Sequence, residues 1–222
     1  MTADKLGTLP ITPITMNFPQ LRSRSLHEYA VAAHKTAREH GFWDPAPSEA
    51  KLNCLMHSEI SEALEDLRAG KGPAETWYER HTGVVTQVRK DYPEGDLATT
   101  WKPCGVPSEI ADLLIRKFDC VGHALANGHA FERGALDDTC AQDSEALRGL
   151  WRKGSAQEDP LYWYLQKMHK LVDGCGVTSE SVVDMVVLVE EFASFAGFDL
   201  WKIVNQKMTY NEGRPFKHGK KF

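Results

Sequence analysis

HSEISEALEDLRAG, residues His57 to Gly70, decides the fold class, because its apolar and acidic side chains share one helical period. Taking about 100° per residue with Leu52 as origin, Leu55, Met56, Ile60, Ala63, Leu64 and Leu67 fall between roughly −60° and +120°. Glu59 lies inside that apolar sector, near about −20°, while Glu62 and Asp66 run along its edge at about −80° and −40°. Glu65, at about −140°, turns away as surface decoration. Carboxylates this close to a core stripe must be paired, hydrogen-bonded or bound to a cation, since an isolated buried charge is too costly.

The arrangement recurs in PSEIADLLIRKFDCVGHAL, residues 107–125. With Glu109 as origin, Asp112, Arg116, Asp119 and His123 fall between about −80° and 0°. Ile110, Leu113, Leu114, Phe118 and Val121 fill the neighbouring sector. Two helices thus each carry an acid pair at i, i+3 beside an apolar seam, Glu59/Glu62 and Glu109/Asp112, and facing helices bring four carboxylates to one point. Four oxygen ligands without histidine or cysteine suit a hard cation, Mg²⁺ or Mn²⁺. The structural alternative is that these acids only salt-bridge to Arg68, Arg116 or Lys117.

Helical periods continue around these two segments, and alternation of period two is scarce. The expected class is therefore all-α, a bundle of four to five main helices with loop-rich insertions. Residues 1–22, rich in proline and without a period, form a lead-in, and 23–222 a single domain. Ser25 caps a helix over about 26–41, and the next runs over about 48–69. Residues 71–107 form an insertion punctuated by glycine and proline, with a short helix near 75–80 and extended structure near 84–88. Pro107 suits the first turn of a helix over about 107–127. The polar 134–160 region is expected to be a loop-rich insertion with a short helix near 143–151. Helices at about 158–173, 179–196 and 199–212 complete the chain, the second carrying the apolar SVVDMVVLV.

Composition sets the limits. The 222 residues are 42% hydrophobic and 26% charged, as in an ordinary globular chain. A net charge of −5 leaves no electrostatic footprint for nucleic acid or an anionic membrane. No stretch approaches the roughly 20 apolar residues of a membrane span, and MTADKLGTLPITPITMNFPQ lacks the form of a signal peptide. Five cysteines without a C-x-x-C pair fit reduced thiols, so a cytoplasmic location is expected.

The E-x-x-E of Glu59 and Glu62 followed by the E-x-x-D of Glu109 and Asp112 resembles the all-α nucleoside triphosphate pyrophosphohydrolases, the MazG-like superfamily. AHKTAREHGFWD, residues 33–44, is similar to that family's first helix and its G-F-W-D ending. KMTYNEGRPFKHGKKF, residues 207–222, resembles its K-x-x-Y-N-x-x-R-P-x-x-H-G tail. The 46 residues between Glu62 and Glu109, and the 134–160 region, make longer connections than the family usually has.

The resemblance implies Mg²⁺-dependent hydrolysis of a nucleoside or deoxynucleoside triphosphate to the monophosphate and pyrophosphate, a nucleotide-pool activity. In this reading Glu59, Glu62, Glu109 and Asp112 hold the metal, and Glu59 or Glu62 takes the proton of the attacking water. Lys207, Asn211 and Arg214 follow a helical stripe as phosphate ligands, with Arg214 able to fork onto phosphate. Tyr210 joins them near the ligand. His34 and Trp43 are candidates to line a base pocket, because aromatic faces stack on bases. Asp66 and Asp119 extend the acid stripes as supporting groups, and His218 sits in the tail without a derivable role. The apolar helix at 179–196 is richer than one small core needs, which, with the habit of relatives, predicts a homo-oligomer.

Two other classes compete. A carboxylate-bridged di-iron bundle needs E-x-x-H pairs, but Glu62 and Asp112 stand where its histidines belong. A non-catalytic helical bundle serving as an interaction or regulatory module predicts no metal-dependent turnover.

Overall fold

The computed structural model describes residues 21–128, 135–156, 159–173 and 178–216. The lead-in at 1–22 therefore falls almost wholly outside the described residues, and His218 does so entirely. Among the described residues the chain forms seven α-helices and one small antiparallel sheet, so the helical class holds, with more helices than the four or five main ones expected.

Ser25 begins α1 (Leu26–Glu39) as expected, accepting from the Glu28 amide while the Glu28 side chain reaches back to the Ser25 amide. Ser48 caps α2 (Glu49–Arg68), and Pro107 stands in the first turn of α3 (Val106–Ala126). The chain continues with α4 (Ala135–Ser155), α5 (Pro160–Asp173), α6 (Ser179–Ala196) and α7 (Leu200–Glu212). Gly197, at φ 88°, stops α6 in the left-handed conformation that glycine adopts without a Cβ clash.

The core centres on α3, whose Ile110, Leu113, Leu114, Phe118 and Val121 are fully buried. It packs against α1 and α2, and more lightly against α6 and α7. Gly122 permits the close approach of α1: a Cβ there would stand 2.3 Å from the Ala30 carbonyl oxygen. Tyr29, Phe118 and Trp201 stack where α1, α3 and α7 meet.

Two sequence-based expectations are corrected. The short helix near 75–80 is instead strand β1 (Trp77–Thr82), which pairs with β2 (Val85–Arg89) across Gly83 and with β3 (Lys102–Cys104) on its other side. Aromatic and β-branched residues at Trp77, Tyr78 and Thr82 favour the pleated conformation, and two partners satisfy its backbone. Extended structure near 84–88 was expected and is β2. Tyr78 then donates to the Gln206 side chain at 3.0 Å, fastening the sheet to α7.

The second correction concerns 134–160, where the loop-rich insertion is a 21-residue helix, α4. Its buried Leu136 and Cys140 and half-buried Leu147 and Trp151 lie on one side, at successive spacings of four, seven and four residues. Arg148, also buried on α4, binds Glu190 and Glu191 of α6, and Arg152 makes two further hydrogen bonds to Glu191. Glu190 also accepts from the Trp201 indole at 2.9 Å. The polar composition of α4 thus serves a buried ion-pair network, not a loop.

Candidate metal and ligand site

Helices α2 and α3 bring the acid stripes together. Ligand oxygens of Glu59, Glu62 and Glu109 all lie within 4.8 Å of one another, with Glu59 and Glu109 buried and Glu62 exposed. Oxygens on opposite sides of a Mg²⁺ ion stand about 4.2 Å apart, so this set fits one hard cation with small side-chain adjustment. The donors are all carboxylate oxygens, the chemistry such an ion takes.

Asp112 does not join that trio. Its Oδ2 lies 2.7 Å from Lys207 Nζ, and Lys207 is almost wholly buried, also donating to the Pro103 carbonyl at 3.2 Å. Lys207 was expected on a phosphate-facing stripe with Asn211 and Arg214. It instead points inward from α7 as the counter-charge of the acids, because a carboxylate half-sealed by packing demands one. Glu59 has its own partner, Arg116 Nε at 2.6 Å. Arg116 is one of the partners foreseen for the acids. Two of the four acids, Glu59 and Asp112, are thus salt-bridged, the second by a residue not among those foreseen. Glu62 and Glu109 have no ion-pair partner among the described residues.

Burial dominates the electrostatics. It raises the Glu109 carboxyl to about 7, a shift that Lys207 opposes and Asp112 reinforces. It raises Glu59 too, against the pull of Arg116. For Lys207, burial works against the charge, but Asp112 and Glu109 outweigh it and hold the ammonium above its ordinary range. Two buried carboxyls poised upward beside an exposed third form a cluster whose charge a cation would settle.

A cavity of about 260 Å³ opens next to the cluster. Asp112 and Arg116 form its inner wall; Asn211 and Arg214 come from the α7 end, and Phe42, Trp43 and Pro47 from the segment joining α1 to α2. Leu52, Leu55, Ile115 and Met208 supply apolar surface. Arg214 lies past the end of α7, its guanidinium 5.6 Å from the Tyr210 ring centroid. Its carbonyl meets His40 Nε2 at 2.6 Å, tying the tail to the end of α1. Burial lowers the Arg214 pKa.

Trp43 lines the cavity, whereas His34 stands behind it, ring edge to ring face at 5.0 Å. Both converge on Asp119: Trp43 Nε1 donates to Oδ1 at 2.9 Å, and His34 Nδ1 meets the same oxygen at 2.8 Å. His123 stacks on Trp43 with centroids 3.8 Å apart. Asp119, on the acid stripe of α3, thus anchors the aromatic wall. Arg116, whose helical angle puts it on the acid stripe, both pairs with Glu59 and faces the cavity. Asp66 is half-buried and its carboxyl raised by burial, with Lys102 and Lys71 opposing. Glu65 pairs in solvent with Arg68 at 2.7 Å.

Compared with protein-family models, curated proteins and solved structures, the chain matches none.

Proposed function

We propose that this protein hydrolyses a nucleoside or deoxynucleoside triphosphate to the monophosphate and pyrophosphate, using a divalent cation. The observation that carries the reading is the convergence of Glu59, Glu62 and Glu109 beside a cavity that holds two guanidinium groups and an indole. Glu59, Glu62 and Glu109 would hold Mg²⁺ or Mn²⁺, with Asp112, braced by Lys207, next to them. Such an ion supplies neutralisation of phosphate oxygens and acidification of water. The resemblance of the two acid motifs and of the tail to the MazG-like pyrophosphohydrolases supports the same chemistry.

The protein's own groups divide the remaining work. Arg116 and Arg214 attract and orient phosphate oxygens, since phosphoryl transfer needs positioning and charge neutralisation more than covalent chemistry. Asn211 adds an amide at the same wall. Trp43, fixed by Asp119 and backed by His123, presents a rigid aromatic edge to a base. Glu62, solvent-exposed and without an ion-pair partner among the described residues, would accept the proton of an attacking water.

The test is pyrophosphate release from a panel of ribo- and deoxyribonucleoside triphosphates with Mg²⁺. Turnover of at least one substrate, abolished by EDTA and lost in Glu62→Gln, is the expected result. The Glu59–Arg116 and Asp112–Lys207 pairs favour a second reading, a non-catalytic module whose acids are structural. Absence of turnover across the panel, with no thermal shift from nucleotide plus Mg²⁺, would establish that reading instead.

A further inference from the structure

A second cluster lies on the other side of α2. His57 Nδ1 stands 2.7 Å from His169 Nδ1 of α5, and the two rings stack with centroids 5.0 Å apart. The opposite nitrogen of His57, Nε2, lies 2.8 Å from Asp173 Oδ1, one turn further along α5. His57 and His169 are half-buried, so the pair is open to solvent. At about 100° per residue, His57 projects about 140° from Glu62 and about 160° from Glu59 around α2, away from the acid cluster.

From this geometry we infer a binding site for a late divalent transition metal of the zinc, copper or nickel class at His57 and His169, separate from the carboxylate cluster. Imidazole nitrogen suits such ions, whereas the all-oxygen cluster suits hard ones. Asp173 only accepts hydrogen bonds, so in the imidazole form that binds metal His57 carries its proton on Nε2 and leaves the Nδ1 lone pair directed at His169. A carboxylate holding the far nitrogen of a ligating histidine is the usual support for such a metal. Without metal, His169 Nδ1 donates to that lone pair. On binding, the proton on His169 Nδ1 passes through solvent to its own Nε2, freeing a second lone pair with both rings still neutral. Nitrogen ligands at about 2.0–2.1 Å from a tetrahedral Zn²⁺ stand about 3.3 Å apart, so the 2.7 Å separation needs only a small widening. Water completes the coordination. The bound ion would bridge α2 to α5.

Untagged full-length protein titrated with Zn²⁺, by isothermal calorimetry, tests this. With excess Mg²⁺ present to occupy the carboxylate cluster, we expect a Zn²⁺ binding event that weakens at least tenfold in His57→Gln and in His169→Gln. Asp173→Asn should weaken it by about tenfold, as removal of a supporting carboxylate does. His169→Cys, which restores a ligand, should regain the event, separating ligand loss from misfolding. Glu62→Gln should leave it unchanged. Wild-type affinity in His169→Gln overturns the inference. So does loss of the event in Cys54→Ser with retention in His169→Gln, which would assign the ion to the exposed thiol one turn earlier on α2.

Discussion

Glu62 is the one member of the carboxylate trio that faces solvent. Its substitution by glutamine therefore removes a charge and an acceptor without emptying a buried space. Glu62→Gln should change unfolding free energy by no more than about 0.5 kcal/mol in urea, while Mg²⁺-dependent pyrophosphate release falls about 10²-fold or more. Full activity in that variant would refute the role assigned to Glu62. Lys207 presents the reverse case. It is buried between Asp112 and the Pro103 carbonyl, and removing it strands a carboxylate beside Glu109. Lys207→Met should cost about 3–5 kcal/mol in the presence of EDTA, the magnitude of a broken buried pair. Mg²⁺ should restore part of that loss, because it supplies the missing positive charge to the same acids. A stability loss indifferent to Mg²⁺ would separate Lys207 from the metal site.

At the scale of elements, the same contrast decides what could be read from sequence. Glu59 and Glu109 are buried because their helical angles place them beside Leu55, Met56, Ile110 and Leu113, and that geometry is local. The charge that answers Asp112 and Glu109 is not: Lys207 approaches α3 from the far end of the chain, and only tertiary packing turns it inward. Strand β1 was hidden in part for a similar reason, since its second partner, β3, lies well beyond any window centred on it. Helix α4 was hidden because its period is written partly in Arg148, a charged residue that is buried only where Glu190 and Glu191 of α6 receive it. Arg148→Leu tests that account. Glu190 is fully buried, so the variant should lose about 3–5 kcal/mol at pH 7. Burial already raises the Glu190 carboxyl, and loss of Arg148 raises it further. A carboxyl with a raised folded pKa loses stability as pH rises through that value, so the penalty should shrink on acidification toward pH 5. An equal penalty at both pH values, measured by urea unfolding, would exclude a stranded Glu190 as its cause.

Across the whole molecule, the apolar surplus of α6 is absorbed within one chain. Val182, Val183, Met185, Val186, Leu188 and Val189 are all buried, with α4 and α5 packed along the helix. The surplus that suggested a second copy therefore no longer argues for one. No helix among the described residues is long and apolar enough to cross a membrane. What the fold does concentrate is buried acid: Glu59, Glu109 and Glu190 all have carboxyls raised mainly by burial. For Glu109 the unfolded value near 4.5 becomes about 7 in the fold. Between those values the folded state binds more protons than the unfolded one, so stability falls as pH rises through the window. For Glu109 alone this amounts to roughly 3 kcal/mol. The metal-free protein should accordingly melt at a higher temperature at pH 5.5 than at pH 7.5. Mg²⁺ binds the carboxylate form, so its stabilising effect should grow with pH over the same range and offset the decline. Scanning calorimetry at the two pH values, with EDTA and with Mg²⁺, measures both slopes. In Glu109→Gln the Glu109 part of the pH dependence and the Mg²⁺ stabilisation should vanish together, since one carboxyl is responsible for both. If the pH dependence shrinks while the Mg²⁺ stabilisation persists undiminished, the ion does not bind at Glu109 and the assignment of the cluster fails.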